Sequence, residues 1–349
     1  MKEDKSAEEL IKALRENSSP YLSEKLEISI LSTKGVSHDH WQINKSNMIL
    51  RLPKMSQWGM TPKEQLLYEK TAFQRAQASC HSPRVFDVLP ISEALPRGGL
   101  IVEFIEGRPP KLPHDLGAIA KALSAIHFIP LPDQDKRHPL QFHRHPFSST
   151  LSVIEEQASF LSSANINSKS LKIIFDELNW AKNSVNTYNK PNFYCLVGTD
   201  THPGNFLIDD IGKAWFVDLE KMLYGVPHID LAHATLAVST GWDPDCSVKL
   251  TKEDIGEFYI EYLRLLEPNM ANNIISALIP LRRLTWLRTI TWFARWRSAW
   301  QIDNHPAVRD PIMTAHIANH IEDSFKLENI RDAQSEWLDG SLTKIILNQ

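Results

Sequence analysis

The chain has 349 residues, 42% of them hydrophobic and 23% charged, which suits a globular protein of two or three domains or lobes. Its formal net charge of −4 gives none of the basic excess that marks nucleic-acid or anionic-membrane binders. No run nears the roughly 18 apolar residues that span a bilayer, and the charged start MKEDKSAEELIKALRE lacks the apolar core of a secretory signal. Cys80, Cys195 and Cys246 are too few and too scattered for a disulfide framework or a zinc site. They read as buried or incidental thiols in a reducing, cytoplasmic compartment.

Residues 7–15 read as a helix capped by Ser6, with Leu10, Ile11 and Leu14 on one face. Residues 25–32 (KLEISILS), 40–44 and 48–52 (MILRL) read as strands, and 44–47 (NKSN) has turn chemistry. A helix follows over 62–78, opened by Thr61 and Pro62. Two more strands are expected over 84–90 and 100–105 (LIVEFI), so five strands and an inserted helix make one compact lobe.

The break at 107–110 (GRPP) ends that pattern, and helical periodicity dominates from Asp115, with Leu116, Ile119, Leu123 and Ile126 on one face. Amphipathic stretches run over 150–187, 253–301 and 309–336, interrupted by short apolar strands at 194–197, 205–208 and 214–217. The plan is α+β and bilobal: a small N-terminal antiparallel-sheet lobe, one linker and a large, mainly helical C-terminal lobe. Ligands favour clefts between such lobes.

Residues 196–232 carry the chemistry: LVGTDTHPGNFLIDDIGKAWFVDLEKMLYGVPHIDLA. Asp200, Asn205 and Asp218 each stand at the edge of an apolar run, where a polar side chain can project into a cleft. Phosphoryl transfer is mostly positioning and charge neutralisation. One carboxylate must orient the attacking hydroxyl and take its proton, a role that Asp200 fits. Oxygen ligands must hold Mg²⁺ on the phosphates, which Asn205 and Asp218 fit.

The string Gly198-Thr199-Asp200-Thr201-His202-Pro203-Gly204-Asn205 resembles the H-G-D-x-H-P-G-N loop of the aminoglycoside phosphotransferase and choline kinase superfamily. Val217-Asp218-Leu219-Glu220 matches that family's I-D-x-E strand end, and 224–232 (YGVPHIDLA) matches its G-x-P-x-x-D-L-A continuation. The resemblance spans roughly 25–235 and implies a protein-kinase-like fold: residues 1–106 as a nucleotide-binding lobe ending in a hinge strand at 100–106, and 107–349 as the catalytic and acceptor-binding lobe. It also implies ATP or GTP with Mg²⁺ and a small hydroxylated acceptor, while oligomeric state stays open. Gly198 stands where the family has His, which bears on loop geometry more than on chemistry. His202 reads as a phosphate or substrate contact or as a packing or turn residue, Asp230 as a brace for the loop, and Glu220 as a support to the metal or as a plain surface or salt-bridge residue.

On the nucleotide side the resemblance implies four cofactor-binding positions. Arg51 replaces the family's third-strand Lys, with Lys54 as the fallback, and Glu69 is the helix Glu, with Glu64 second. Backbone at Glu103 and Ile105 would meet the base. Residues 33–37 (TKGVS) are the candidate phosphate-covering turn, and His127 reads as a packed residue.

Trp292, Trp296 and Trp300 recur every four positions, with Arg288, Arg295 and Arg297 interleaved. They read either as an aromatic wall for an acceptor or as a core stripe edged by Arg stems. Asp243, Asp245 and Asp254 read as surface. The leading expectation is a Mg²⁺-dependent kinase that moves the γ-phosphate to a hydroxyl of a metabolite or aminoglycoside-like acceptor. The alternative is a catalytically weak or inactive nucleotide-binding member with an interaction role, motivated by Gly198 and Arg51.

Overall fold

The computed structural model describes residues 7–15, 19–22, 26–31, 37–44, 46–188, 191, 193–302 and 311–348. The N-terminal part is a five-stranded antiparallel sheet of β1 (Ile28–Ile30), β2 (His38–Ile43), β3 (Met48–Pro53), β4 (Val85–Leu89) and β5 (Gly99–Glu103), in the order β1-β2-β3-β5-β4. Successive side chains of a strand point to opposite faces. In β3 this sends Leu50 to the outer face, where Leu10 and Leu14 of helix α1 (Ala7–Arg15) cover it. Arg51, next along, points to the other face and toward helix α2 (Pro62–Ala76), which lies between β3 and β4 in the chain.

Helix α2 starts where expected: Thr61 caps it, and Glu64 completes the capping box at the third helical position. Its buried face carries Tyr68, Ala72 and Phe73 against Leu100 and Val102 of β5, with Glu69 buried among them. After β5 the chain runs irregularly to Arg108, which exchanges two backbone hydrogen bonds with Ile208, at 2.9 and 2.8 Å. The linker is thereby stitched to the strand that follows Asn205.

The C-terminal part is largely helical. Helices α3 (Leu116–His127), α4 (Pro146–Ala158) and α5 (Ser168–Tyr188) precede four three-residue strands: β6 (Cys195–Val197), β7 (Phe206–Ile208), β8 (Ala214–Phe216) and β9 (Leu223–Gly225). These pair as β6–β9 and β7–β8. Helices α6 (His228–His233), α7 (Ala237–Thr240), α8 (Lys252–Arg264), α9 (Pro268–Ile302), α10 (Pro311–Ser324), α11 (Leu327–Leu338) and α12 (Ser341–Leu347) complete the chain. Helix α9, 35 residues long, is the axis on which α4 and α6 pack.

Each long amphipathic stretch is two helices. The 253–301 stretch divides at Glu267-Pro268, because a residue before proline leaves the α region and proline then opens the next helix. The 150–187 stretch divides between Ala158 and Ser168, and 309–336 divides at Phe325-Lys326. Strand β9 is a further difference: three buried residues are too short for a periodic signal. Of the expected strand at 25–32 and turn at 33–37, residues 25 and 32–36 lie outside the described residues. Among the described residues no helix is long and apolar enough to cross a membrane.

Candidate active site

The loop after β6 is held by one carboxylate. Asp230, fully buried at the start of α6, accepts from the backbone N–H of Gly198 at 2.6 Å and of Thr199 at 2.8 Å. His127 Nε2 donates to the same carboxylate at 3.1 Å, and Tyr262 Oη lies 2.9 Å from His127 Nδ1. Asp230 and His127 thus take the bracing and packing positions expected of them.

Thr199 has φ of 59°, a left-handed conformation that β-branched residues avoid. Three bonds offset the strain: its N–H to Asp230, its Oγ1 to Lys221 O at 2.9 Å, and its carbonyl from Arg288 Nη2 at 2.7 Å. A Cβ at Gly198 would stand 2.8 Å from the Phe216 ring and from Thr201 Cγ2. In this loop position 198 has no room for the histidine of the related motif.

Asp200 and Asp218 meet at a cavity of about 1190 Å³ between the sheet and the helical part. Lys221 Nζ donates to Asp200 Oδ2 at 2.6 Å, and His233 Nδ1 lies 3.8 Å from Asp200 Oδ1. Burial opposes charge on Asp200, but Lys221, His202 and His233 outweigh it and hold the carboxyl far below its ordinary range. Burial likewise opposes charge on Lys221, and Asp200 and Glu220 raise its pKa despite that. Asn205 Nδ2 donates to Asp200 O at 2.7 Å, which commits the amide nitrogen and leaves the amide oxygen as the atom able to ligate. That oxygen and the Asp218 carboxylate are the hard donors that Mg²⁺ prefers, so the residues present fit the ion.

The sheet supplies the facing charges. Arg51, 3% exposed, donates from Nη2 to Asp218 Oδ1 at 2.7 Å and from Nη1 to His40 Nε2 at 3.0 Å. Its Nε lies 3.7 Å from Glu69 Oε2. Burial works against this guanidinium, but Asp218, Glu69 and Glu220 leave its pKa raised. Burial also works against Asp218, and Arg51 and His38 hold its carboxyl below the ordinary value.

Glu69 bonds to His38 Nε2 at 2.9 Å and to Gln65 Nε2 at 2.8 Å. Glu220 is buried rather than superficial: it accepts from Gln57 at 2.6 Å and lies 3.5 Å from His38 Nδ1, and burial followed by Asp218 raises its pKa. The structure separates the paired candidates: Lys54 pairs with Asp39 at 3.2 Å, and Glu64 serves the α2 cap.

At the hinge, Glu103 and Ile105 line the cavity. The N–H groups of Glu103 and Phe104 are committed to Arg84 O and Asn47 O, at 2.8 and 2.7 Å. Beyond β5, Ile105 N–H enters no backbone hydrogen bond among the described residues.

On the other side Trp242, Trp292 and Trp296 line the cavity, with Trp242 and Trp292 edge to face at 5.3 Å. Trp292 and Trp296 also pack against the helical core, so the stripe is both wall and core edge. The Trp300 side chain lies outside the described residues. Arg288 and Arg295 reach the cavity, whereas Arg297 pairs with Glu322 at 2.8 Å. The acidic trio is not one surface patch: Asp243 and Asp245 line the cavity, and Asp254 completes the α8 capping box.

Sequence reasoning missed Lys221, His233, His38 and Gln57. Lys221 directly follows the Asp-Leu-Glu string, so its position was available, but nothing in a one-dimensional pattern turns it inward. His38 precedes the strand expected at 40–44, and only pairing with β3 carries that strand back to it.

The model of the phosphotransferase enzyme family matches residues 29–271, well over half of the chain. No curated protein matches it. Among solved structures, a choline kinase from Cryptosporidium parvum is 16% identical at a TM-score of 0.61, covering 97% of this chain and 98% of that one. An ethanolamine kinase from Plasmodium vivax is 15% identical at a TM-score of 0.60, covering 90% and 85%. A spectinomycin phosphotransferase in complex with ADP and spectinomycin is 14% identical at a TM-score of 0.62, covering 95% and 98%. At these identities the likeness is one of fold, and the fold is the bilobal, protein-kinase-like one.

Proposed function

We propose, for a chain that belongs to the phosphotransferase enzyme family, that it is an ATP- or GTP-dependent kinase for a small hydroxylated acceptor. The observation that carries the reading is the convergence of Asp200, Asn205, Asp218 and Arg51 on one interlobe cavity. Asp200 orients the acceptor hydroxyl through its carboxylate and takes its proton. The acceptor oxygen forms a bond to the γ-phosphorus, the bond from that phosphorus to the bridging oxygen breaks, and a nucleoside diphosphate leaves.

Asn205 and Asp218 would hold Mg²⁺, which when bound neutralises phosphate charge. Arg51 steadies the α- and β-phosphates as a fixed cation, kept charged by Asp218 and Glu69. The carbonyl of Glu103 and the N–H of Ile105 meet the base edge. Trp242 and Trp292 form the acceptor wall, and a metabolite such as an amino alcohol or a sugar suits it. The neighbours named for choline, ethanolamine and spectinomycin make small-molecule acceptors the class to screen.

Isothermal titration of ATP and GTP, with and without Mg²⁺, tests the reading on wild type and Asp218→Ala. Metal-dependent binding that Asp218→Ala weakens supports it. Absence of nucleotide binding in wild type sinks it and moves the weight to a degenerate family member that has an interaction role and no longer binds nucleotide.

A further inference from the structure

We infer that Lys221 is a catalytic residue whose ammonium contacts the phosphoryl group in flight between nucleotide and acceptor. The inference rests on the kinase reading above and adds a residue to it.

Lys221 sits in the turn between β8 and β9, a place from which a lysine ordinarily extends into water. Here the turn is rolled inward: Thr199 Oγ1 donates to the Lys221 carbonyl at 2.9 Å, tying the turn to the loop that carries Asp200. The side chain is only 22% exposed and lines the cavity, with Nζ 2.6 Å from Asp200 Oδ2. An ammonium has three N–H donors. Among the described residues the Lys221 side chain makes this one hydrogen bond, so two donors remain on the cavity side.

The other cations of the cavity are committed differently. Arg51 is bound to Asp218 and His40, Arg288 to the Thr199 carbonyl, and Arg295 lies 3.5 Å from Glu156. Lys221 is the cation placed against the carboxylate that would receive the acceptor's proton, and its charge is felt by both Asp200 and Asp218.

The Lys221 and Asp200 side chains are 22% and 23% exposed, and a salt bridge so placed is weak evidence of a role in folding stability. As a donor it has a defined task. The transferring phosphoryl group spreads charge over three equatorial oxygens, and a fixed ammonium beside them stabilises that state more than the ground state. Lys221 holds Oδ2 of Asp200 and leaves Oδ1 for the acceptor hydroxyl. The oxygen–phosphorus bond to the acceptor forms as the bond to the diphosphate breaks. The acceptor proton passes to Asp200, and Lys221 keeps its own protons throughout.

The test is calorimetry of Mg·ADP binding, with and without aluminium fluoride as a planar phosphoryl mimic, on wild type, Lys221→Met and Lys221→Arg. Wild type should bind Mg·ADP more tightly with the fluoride. Lys221→Met should keep its affinity for Mg·ADP within about twofold and lose about ten- to a hundredfold of the fluoride-dependent gain, which Lys221→Arg partly restores. Slow hydrolysis of Mg·ATP, with water as acceptor, should lose kcat at unchanged KM.

A Lys221→Met protein that keeps the whole gain overturns the inference. So does one that loses Mg·ADP affinity as much as the fluoride complex, which would make Lys221 a structural support, and so does a wild type whose Mg·ADP binding ignores fluoride. A wild type that binds no Mg·ADP overturns the kinase reading itself. Lys221→Gln, which keeps a donor near Asp200, is the substitute if the methionine variant melts early.

Discussion

Arg51 of the N-terminal sheet and Asp218 after β8 form an ion pair at 2.7 Å that joins the two halves of the cleft. The same guanidinium serves His40 and approaches Glu69, so its planar fork addresses three groups from a strand position. A lysine carries the charge but not the fork. Arg51→Lys should therefore weaken nucleotide binding by about tenfold, because one buried charge-assisted hydrogen bond is worth roughly 1.5 kcal/mol or more. Titration calorimetry on the two proteins measures it, and equal affinities would remove Arg51 from the phosphate site.

Asp230 makes a second prediction. Its carboxylate accepts from two backbone N–H groups and from His127, all buried. Asp230→Asn places an amide donor against one of those donors and should cost about 2–3 kcal/mol, the penalty for an unsatisfied buried polar group. In a protein of this size that lowers Tm by on the order of 5 °C. Turnover should fall more than nucleotide affinity, since the displaced loop carries Asp200 and not Arg51. Scanning calorimetry with steady-state kinetics separates the two effects.

The contrast between what was and was not legible in the sequence follows from the length of each signal. Asp200, Asn205 and Asp218 were readable because short apolar runs flank them at fixed spacing. The sheet was readable from alternation and helix α2 from Thr61 and Pro62 at its start, whereas Glu69 on that helix was readable only through the family resemblance. What escaped depends on three-dimensional closure. Strand β9 is three residues long and exists because β6 lies beside it. His38 matters because strand pairing sets it next to Glu69 and Glu220, residues 31 and 182 positions away. The inward roll of Lys221 is set by a hydroxyl 22 positions earlier.

Position 198 gives a third prediction, about fit rather than charge. A Cβ there would press on the buried Phe216 ring and on Thr201 at 2.8 Å, closer than carbon atoms pack. Gly198→Ala should destabilise the protein by about 1–3 kcal/mol, the range for overpacking a tight site. Chemical denaturation measures it. Full stability in the variant would mean that the loop yields, and position 198 would then accept larger residues as well.

The fourth prediction concerns acid. His228 is buried in α6; its Nε2–H donates to Ile274 O at 2.9 Å, and its Nδ1 has no hydrogen-bond partner. Burial, with a smaller push from His127 and against the Ile274 bond, lowers its pKa to about 4. In the unfolded chain a histidine titrates near 6.5, at roughly its ordinary value. Between those values the unfolded state binds the extra proton, so stability is full above pH ~6.5 and falls as pH drops toward ~4. One such group can cost at most on the order of 3 kcal/mol across that window. His40, His202 and His233, also lowered chiefly by burial, act in the same direction. Urea midpoints measured from neutral pH down to about 4 should therefore fall, and His228→Gln, whose amide can still donate to Ile274, should show a shallower fall. An equally steep fall in that variant would place the acid sensitivity in the other histidines whose pKa burial lowers, His81, His143 and His320 among them, and not in His228.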